Sequence, residues 1–204
     1  MRHIAIIGTG YVGLVSGSGI SDFGNKVICA DIAGEKIKML QAGKMPIYEP
    51  GLDELVDRNV KAERLSFSTD VGKTIRDSEV IFISVSTPQS ENGEADISAV
   101  KAVAKIIGKN LNERKVICTK STVPIGTGKI VSEIINENKS TETEFEYVSN
   151  PEFLREGSAV KDFLWPDRIV IGAESEWAFE IMEDVYRSLY INETPIVHTT
   201  VETA

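Results

Sequence analysis

Three glycines near the start of the chain limit the folds open to it more than any other feature. Gly8, Gly10 and Gly13 follow the apolar run Ile4–Ile7 and open a segment whose apolar residues recur at helical spacing. Glycines at these spacings permit a tight turn, a close approach of the backbone to a ligand, and close packing of a helix on a strand. The pattern predicts a strand, a turn and a helix whose N-terminus faces phosphates.

The second apolar run supports a specific ligand for this turn. Residues 26–31 read as a strand that ends in Asp31. A carboxylate about 20 residues beyond such glycines is placed to accept hydrogen bonds from the ribose of a dinucleotide. Asp31 alone would equally suit a loop that it caps or solvates. Strand, glycines, helix and Asp31 in this order favour dinucleotide binding.

The rest of the chain alternates between β-rich runs and helical patterns. Strands are predicted at 3–8, 26–31, 65–68, 79–85, 115–120, 145–149, 168–172 and 195–199, and helices at 12–23, 35–43, 51–59, 97–108, 127–138 and 175–189. Residues 201–204 read as the start of a further helix. Continuous apolar strands such as Val80–Ile83 are typical of parallel sheets buried on both faces. We therefore predict an α/β fold: a Rossmann-like, doubly wound, mostly parallel sheet with helices on both faces.

Composition excludes several classes of partner. The chain has 22 Lys and Arg against 31 Asp and Glu, a net charge of −9. Nucleic acid and anionic membrane surfaces are therefore poor partners. No apolar run is long enough to span a bilayer, and we expect a cytoplasmic protein. Two cysteines and two histidines, widely spaced, predict no metal site and no disulfide framework.

Three segments that follow predicted strands are candidates for chemistry. They are Ser86–Pro88, Lys120–Pro124 and Asn150–Gly157. Ligands of open α/β sheets bind at the carboxyl ends of strands. In the third segment Glu152 and Glu156 are four residues apart and would share one helix face.

Residue type alone leaves the roles of these side chains open. Glu152 would serve equally as a dipole-compensating residue of a helix capped by Ser149 or Asn150. Thr122 would serve equally as an ordinary loop hydroxyl.

The longer motifs resemble those of the UDP-glucose/GDP-mannose dehydrogenase family. They are IGTGYVGL at 7–14, YEPGL at 48–52, TKSTVP at 119–124, SNPEFLREG at 149–157 and WPDRIVIG at 165–172. The resemblance covers essentially the whole chain. The segment Tyr48–Leu52 is most similar to the UDP-glucose-oxidising members.

The resemblance implies an NAD-dependent oxidation of a nucleotide sugar. The C6 alcohol of UDP-glucose would become a carboxylate with two NAD, through a thiohemiacetal and then a thioester on a cysteine. UDP-N-acetylmannosamine and GDP-mannose are alternative substrates. A stand-alone NAD-binding or sensing module without catalysis is the alternative of another class.

The resemblance also assigns residues. Cofactor contacts would come from Gly8, Gly10, Tyr11, Val12 and Gly13 at the pyrophosphate, Asp31 at the ribose with Lys36 nearby, Val85, Ser86, Thr87, Pro88, Ser121 and Thr122 on the nicotinamide side, and Glu156. Substrate contacts would come from Glu152, Phe153, Leu154, Arg155 and Glu156. Glu152 would accept or donate the proton, with Thr122 helping through water.

The family's nucleophilic cysteine belongs to a later domain, and neither Cys29 nor Cys118 fits its motif. The resemblance therefore implies that residues 1–204 are one NAD-binding domain, truncated before a central helix and a C-terminal UDP-binding domain. The complete protein would form a homodimer through that helix. We expect the 204 residues alone to bind NAD without oxidising the sugar.

Overall fold

An eight-stranded sheet forms the centre of the computed structural model, which describes residues 1–90 and 93–204. The strands are β1 (His3–Ile7), β2 (Lys26–Ala30), β3 (Leu65–Ser68), β4 (Val80–Ile83), β5 (Lys115–Thr119), β6 (Phe145–Ser149), β7 (Ile169–Gly172) and β8 (Ile196–Thr199). Each lies inside a run predicted from the sequence. The order across the sheet is β3-β2-β1-β4-β5-β6-β7-β8.

The strand order reverses between β1 and β4. Strands β1 to β6 pair in parallel, which the crossover helices between them allow. Strand β7 is antiparallel to β6 through the pair Ser149–Gly172, and β8 is parallel to β7. The mostly parallel, doubly wound sheet is thus confirmed. Its point of reversal is where such sheets bind ligands.

The helices are α1 (Tyr11–Asp22), α2 (Gly34–Gln41), α3 (Leu52–Lys61), α4 (Val71–Arg76), α5 (Ser98–Asn110), α6 (Thr127–Asn138), α7 (Ala159–Leu164) and α8 (Glu176–Val185), followed by a 3₁₀ helix (Arg187–Asn192). The sequence did not predict α4 and α7, because six residues are too few to display a 3.6-residue period. The helix predicted at 175–189 ends as an α-helix at Val185. Residues 201–203 form a turn.

The core has one layer on each face of the sheet. Along β1, Ile4 and Ile6 pack on one face and Ala5 and Ile7 on the other, as the two-residue period of a strand requires. Helices α1, α2, α3, α7 and α8 cover the first face, and α4, α5 and α6 cover the second. Within the residues described, no helix is both long and apolar enough to cross a membrane.

Candidate functional site

The turn between β1 and α1 is open at one glycine and closed at the other two. A Cβ on Gly8 would lie 2.6 Å from the Ser84 carbonyl oxygen, and one on Gly13 would lie 1.9 Å from the Gly8 carbonyl oxygen. Gly8 also has a φ of +105°, a conformation that side chains disfavour. At Gly10, by contrast, a Cβ would meet no heavy atom within 4 Å. The turn therefore packs tightly on the sheet and leaves Gly10 facing open space.

Helix α1 presents an uncapped N-terminus beside this opening. Its first two residues are Tyr11 and Val12, and none of the described side chains caps it or places a negative charge in its first turn. The amide groups of a first turn have no partner within their helix, and they carry the positive end of the helix dipole. An anion such as a pyrophosphate fits this position.

Asp31 braces the turn from the end of β2. Its Oδ2 accepts hydrogen bonds from the amide and hydroxyl of Thr9, both at 2.8 Å, and its Oδ1 accepts one from the Ala33 amide at 2.9 Å. The ammonium of Lys36 lies 3.5 Å from Oδ2. Burial raises the pKa of Asp31, but these hydrogen bonds outweigh burial and leave the pKa below its ordinary value. Asp31 is therefore an ionised carboxylate at neutral pH.

A cleft of about 440 Å³ joins these elements. It is lined by Ile7, Gly8, Gly10, Asp31, Ile32, Lys36, Val71, Ser84, Val85, Ser86, Ala99, Ala102, Val103 and Ile106. Its floor lies at the reversal between β1 and β4, its wall is the apolar face of α5, and its polar groups gather at Asp31. Mostly apolar walls with a few placed polar groups are typical of nucleotide pockets.

The two loops predicted on the nicotinamide side are joined to each other. The hydroxyl of Ser121, after β5, donates to the Val85 carbonyl at 2.6 Å, and the hydroxyl of Thr87, after β4, donates to the Thr122 carbonyl at 2.8 Å. Thr122 and Pro88 are exposed. Residues 91 and 92 of the loop that follows β4 lie outside the described residues.

The segment 150–158 differs from the prediction. It has no regular secondary structure up to residue 155 and then turns, and helix α7 begins only at Ala159, so Glu152 and Glu156 do not share a helix face. The expectation of a helix capped by Ser149 or Asn150 is wrong. The Glu152 carboxylate instead accepts the amide of Leu154 within its own loop, a contact that competes with helix formation.

The substrate candidates of this segment lie in different surroundings. Phe153 is half exposed, with the Arg168 guanidinium 4.6 Å from its ring centre. Leu154 packs against the core, and Glu156 is exposed. Arg155 pairs with Asp162 at 2.6 Å, and the pKa of Asp162 falls to about 2, chiefly because of this pairing.

Sequence reasoning quoted Glu49 without giving it a role, and the structure places it between the turn and this segment. Its Oε2 accepts the Tyr11 hydroxyl at 2.6 Å and the Gly157 amide at 2.8 Å, and its Oε1 accepts the Ala159 amide at 2.8 Å. Only 4% of the surface of Glu49 is exposed to solvent. Burial raises the pKa of Glu49, but these hydrogen bonds together lower it below its ordinary value. The signal that the sequence offered was an acidic residue in a loop with two prolines.

Lys120, at the end of β5, is a second residue that sequence reasoning left unassigned. Its ammonium lies 3.1 Å from Oδ1 of Asn150, which also accepts the Tyr186 hydroxyl at 2.6 Å. Burial lowers the pKa of Lys120 to about 8. The burial of Lys120 could not be predicted from its sequence neighbours, because Thr119, Ser121 and Thr122 are polar.

Neither cysteine is accessible to a ligand. Cys29 and Cys118 are free and fully buried, and burial raises the pKa of each thiol to about 12. A thiol in this state is a poor nucleophile at neutral pH. The described part of the chain holds no group of three or more His, Cys, Asp or Glu arranged for a metal.

Comparison with known proteins agrees with this geometry. Residues 2–190 match the model of the UDP-glucose/GDP-mannose dehydrogenase family, NAD binding domain. The UDP-glucose 6-dehydrogenase TuaD of Bacillus subtilis is 50% identical over 204 residues, which are 100% of this chain and 44% of that protein.

Two solved structures have the same fold. A UDP-glucose dehydrogenase from Pyrobaculum islandicum has a TM-score of 0.95 at 36% identity, covering 100% of this chain and 47% of that one. A GDP-mannose dehydrogenase from Pseudomonas aeruginosa has a TM-score of 0.93 at 37% identity, covering 98% and 47%. The chain thus spans about half the length of these relatives.

The matched family model is that of an NAD-binding domain, and the glycine turn, the carboxylate at the end of β2 and the cleft at the strand reversal are compatible with binding this cofactor. The chain belongs to the UDP-glucose/GDP-mannose dehydrogenase family.

Proposed function

We propose that this chain is the NAD-binding half of an enzyme that oxidises the C6 alcohol of UDP-glucose to a carboxylate, giving UDP-glucuronate, with two NAD. The observation that carries the proposal is the meeting of the cofactor turn with the Glu152 segment: the Tyr11 hydroxyl lies 3.3 Å from the Arg155 carbonyl oxygen. UDP-glucose is preferred as substrate because TuaD, at 50% identity, is a UDP-glucose 6-dehydrogenase.

Each part of the cleft has a role in holding NAD. The amides after Gly10 bind the pyrophosphate, Asp31 accepts from the adenosine ribose, and Lys36 lies beside it. Val85, Ser86, Thr87, Pro88, Ser121 and Thr122 face the nicotinamide side, with Glu156 reaching the cofactor from the other segment. NAD, when bound, accepts the hydride from the sugar carbon.

Glu152 moves the proton, Thr122 helps it through water, and Phe153, Leu154, Arg155 and Glu156 contact the sugar nucleotide. No helix begins between residues 149 and 158, so Glu152 does not lie in the first turn of a helix. A substitution of Glu152 can therefore test the proton-transfer role. Glu152→Gln in the complete enzyme should slow single-turnover oxidation about 10²–10⁴-fold, the usual contribution of general acid–base catalysis. Its melting temperature should stay close to that of the wild type. A near-normal rate would remove Glu152 from the mechanism.

The remaining machinery belongs to the complete protein. We place the cysteine nucleophile and the UDP-binding domain outside these 204 residues, since Cys29 and Cys118 are both inaccessible. The 204 residues alone should therefore bind NAD in calorimetry and give no rise in nicotinamide absorbance with UDP-glucose. Turnover by this chain alone would show that the nucleophile does not lie outside these 204 residues. The complete enzyme would be a cytoplasmic homodimer.

The substrate is tested with the complete enzyme and a panel of sugars. UDP-glucose should give the highest kcat/KM, and two NADH should form per sugar. A preference for GDP-mannose or UDP-N-acetylmannosamine would assign the chain to that branch of the family. Absence of turnover with all three sugars, with NAD still bound, would favour a sensing module.

A further inference from the structure

Glu49 carries a buried charge whose hydrogen-bonding partners come from two separate parts of the site. It belongs to the connection between α2 and α3, and its residue is 4% exposed. One partner is the hydroxyl of Tyr11, the first residue of α1. The others are the amides of Gly157 and Ala159, where the Glu152 segment ends and α7 begins.

These partners are neutral donors, a hydroxyl and two backbone amides. Burying a carboxylate is costly unless hydrogen bonds replace its lost water. A neutral side chain could join two loops at lower cost, whereas a carboxylate accepts several donors at once and each charge-assisted bond is short. Glu49 therefore fixes three donors around one point with little freedom to move.

Of the two parts that Glu49 joins, one binds the cofactor and the other carries the proton-transferring residue in the proposed reaction. Tyr11 directly follows the glycine turn, and Gly157 closes the segment that carries Glu152. The Tyr11 hydroxyl also lies within 3.3 Å of the Arg155 carbonyl oxygen, inside that segment. Tyr11 and Glu49 therefore link the turn to the segment that carries Glu152.

We propose that Glu49 is a positioning residue: acting through Tyr11 and the Gly157 amide, it holds the proton-transferring segment in register with the bound dinucleotide. The proposal rests on the proposed function above. Catalytic groups tolerate little displacement, since an error of about 1 Å can cost about 10²-fold in rate.

The Ala159 amide gives Glu49 a structural role as well, which the test must separate. Ser158, the N-cap of α7, makes no side-chain cap bond among the described residues, and Glu49 accepts the first amide of the helix. Tyr11→Phe removes one hydroxyl and leaves both amide contacts. Asp22→Asn is a matched control, because Asp22 ties the far end of α1 to Arg58 and Asn59 of α3.

The first experiment uses the complete enzyme with UDP-glucose and NAD, below the melting temperature of every variant. We expect Glu49→Gln to lower kcat about 10–100-fold and Tyr11→Phe about 3–10-fold, by displacement of Glu152. NAD affinity should change less than about threefold, because backbone amides and Asp31 remain. Asp22→Asn should lower the melting temperature and leave kcat within about twofold of the wild type.

Two outcomes of this experiment overturn the proposal. One is a normal kcat in Glu49→Gln despite a lowered melting temperature. The other applies if Glu49→Gln does not fold: a normal kcat in Tyr11→Phe then overturns the proposal.

The second experiment needs no turnover, so it stands even if the sugar assignment fails. Hydrogen exchange of the Gly157 amide is measured in the complete enzyme with and without NAD. NAD should slow this exchange in the wild type, and the slowing should be lost in Tyr11→Phe. Equal slowing in both proteins would show that the Tyr11–Glu49 link does not connect the two parts, and would overturn the proposal.

Discussion

At the scale of single residues, the fold stabilises the charged form of Asp31 and destabilises the charged form of Lys120. Asp31 is stabilised as an anion by three hydrogen bonds, which leave its pKa below the ordinary value. Lys120 is destabilised as a cation by burial, which leaves its pKa at about 8. Each charge makes a measurable prediction.

Asp31 should make the protein prefer NAD to NADP. Its carboxylate would meet a ribose 2′-phosphate with like-charge repulsion, and Lys36 at 3.5 Å offsets this in part. Titration of both cofactors should show tighter binding of NAD. In Asp31→Ser the NAD affinity should fall about 10–100-fold, the range for a lost hydrogen bond to a charged group, and the preference should shrink. Equal affinities in the wild type would show that Asp31 does not face the ribose.

Lys120 should make stability rise with pH. The folded pKa of about 8 lies below the ordinary value of 10.5. Between these two pH values the unfolded chain binds more protons than the folded one, so the free energy of unfolding increases. The gain relative to Lys120→Met should reach about 3 kcal/mol by pH 10.5. Urea titrations at pH 7 to 10 measure it, and a pH-independent difference between the two proteins would contradict the buried-cation argument.

At the scale of elements, α1 is fixed by its contact with the turn that precedes it. A methyl group on Gly13 would lie 1.9 Å from the Gly8 carbonyl oxygen, a backbone atom that cannot rotate away. Gly13→Ala should therefore displace α1, destabilise the protein by about 2–3 kcal/mol and abolish NAD binding.

Gly34→Ala is the matched control for that substitution. A Cβ on Gly34, the first residue of α2, meets no heavy atom within 4 Å, so alanine there should be neutral or stabilising by up to about 1 kcal/mol. Chemical denaturation and NAD calorimetry on both variants measure the contrast. Normal NAD affinity in Gly13→Ala would show that NAD binding tolerates a larger separation between α1 and the turn.

The strands and the longer helices were predictable from the sequence, and the two six-residue helices were not. All eight strands fell inside predicted runs. The clearest, β4, is a continuous apolar segment, which is typical of a buried parallel strand. Helix α7 was missed because six residues are too few to show the helical period, and the end of the segment before it is held by hydrogen bonds to Glu49, about 100 residues away in the chain. Long-range contacts also explain why Glu49 was given no role and why the burial of Lys120, against Asn150 and Tyr186, was not predicted. A local pattern does not report a long-range hydrogen bond.

At the scale of the whole molecule, the strand order brings the candidate loops together. Strands β4, β5 and β6 are neighbours and parallel, so the loops that begin at Ser84, Lys120 and Asn150 emerge side by side at one edge. Strand β1 adjoins β4, which adds the glycine turn to the same edge. The sheet therefore brings candidate residues that are far apart in sequence to one edge, and this arrangement exists only when the sheet is folded.

Because the cleft is built from β1, β2, β4 and α5 together, NAD should stabilise the entire fold. A ligand that binds only the folded state adds about 2.7 kcal/mol at a concentration 100 times its Kd. For a chain of 204 residues each kcal/mol raises the melting temperature by about 2–4 °C, so the midpoint should rise by about 5–10 °C. Thermal denaturation across a range of NAD concentrations measures this shift, with Asp31→Ser giving a smaller one at the same concentrations. If calorimetry shows that NAD binds and the midpoint is still independent of NAD, unfolding does not dismantle the cleft, which contradicts its construction from the central strands.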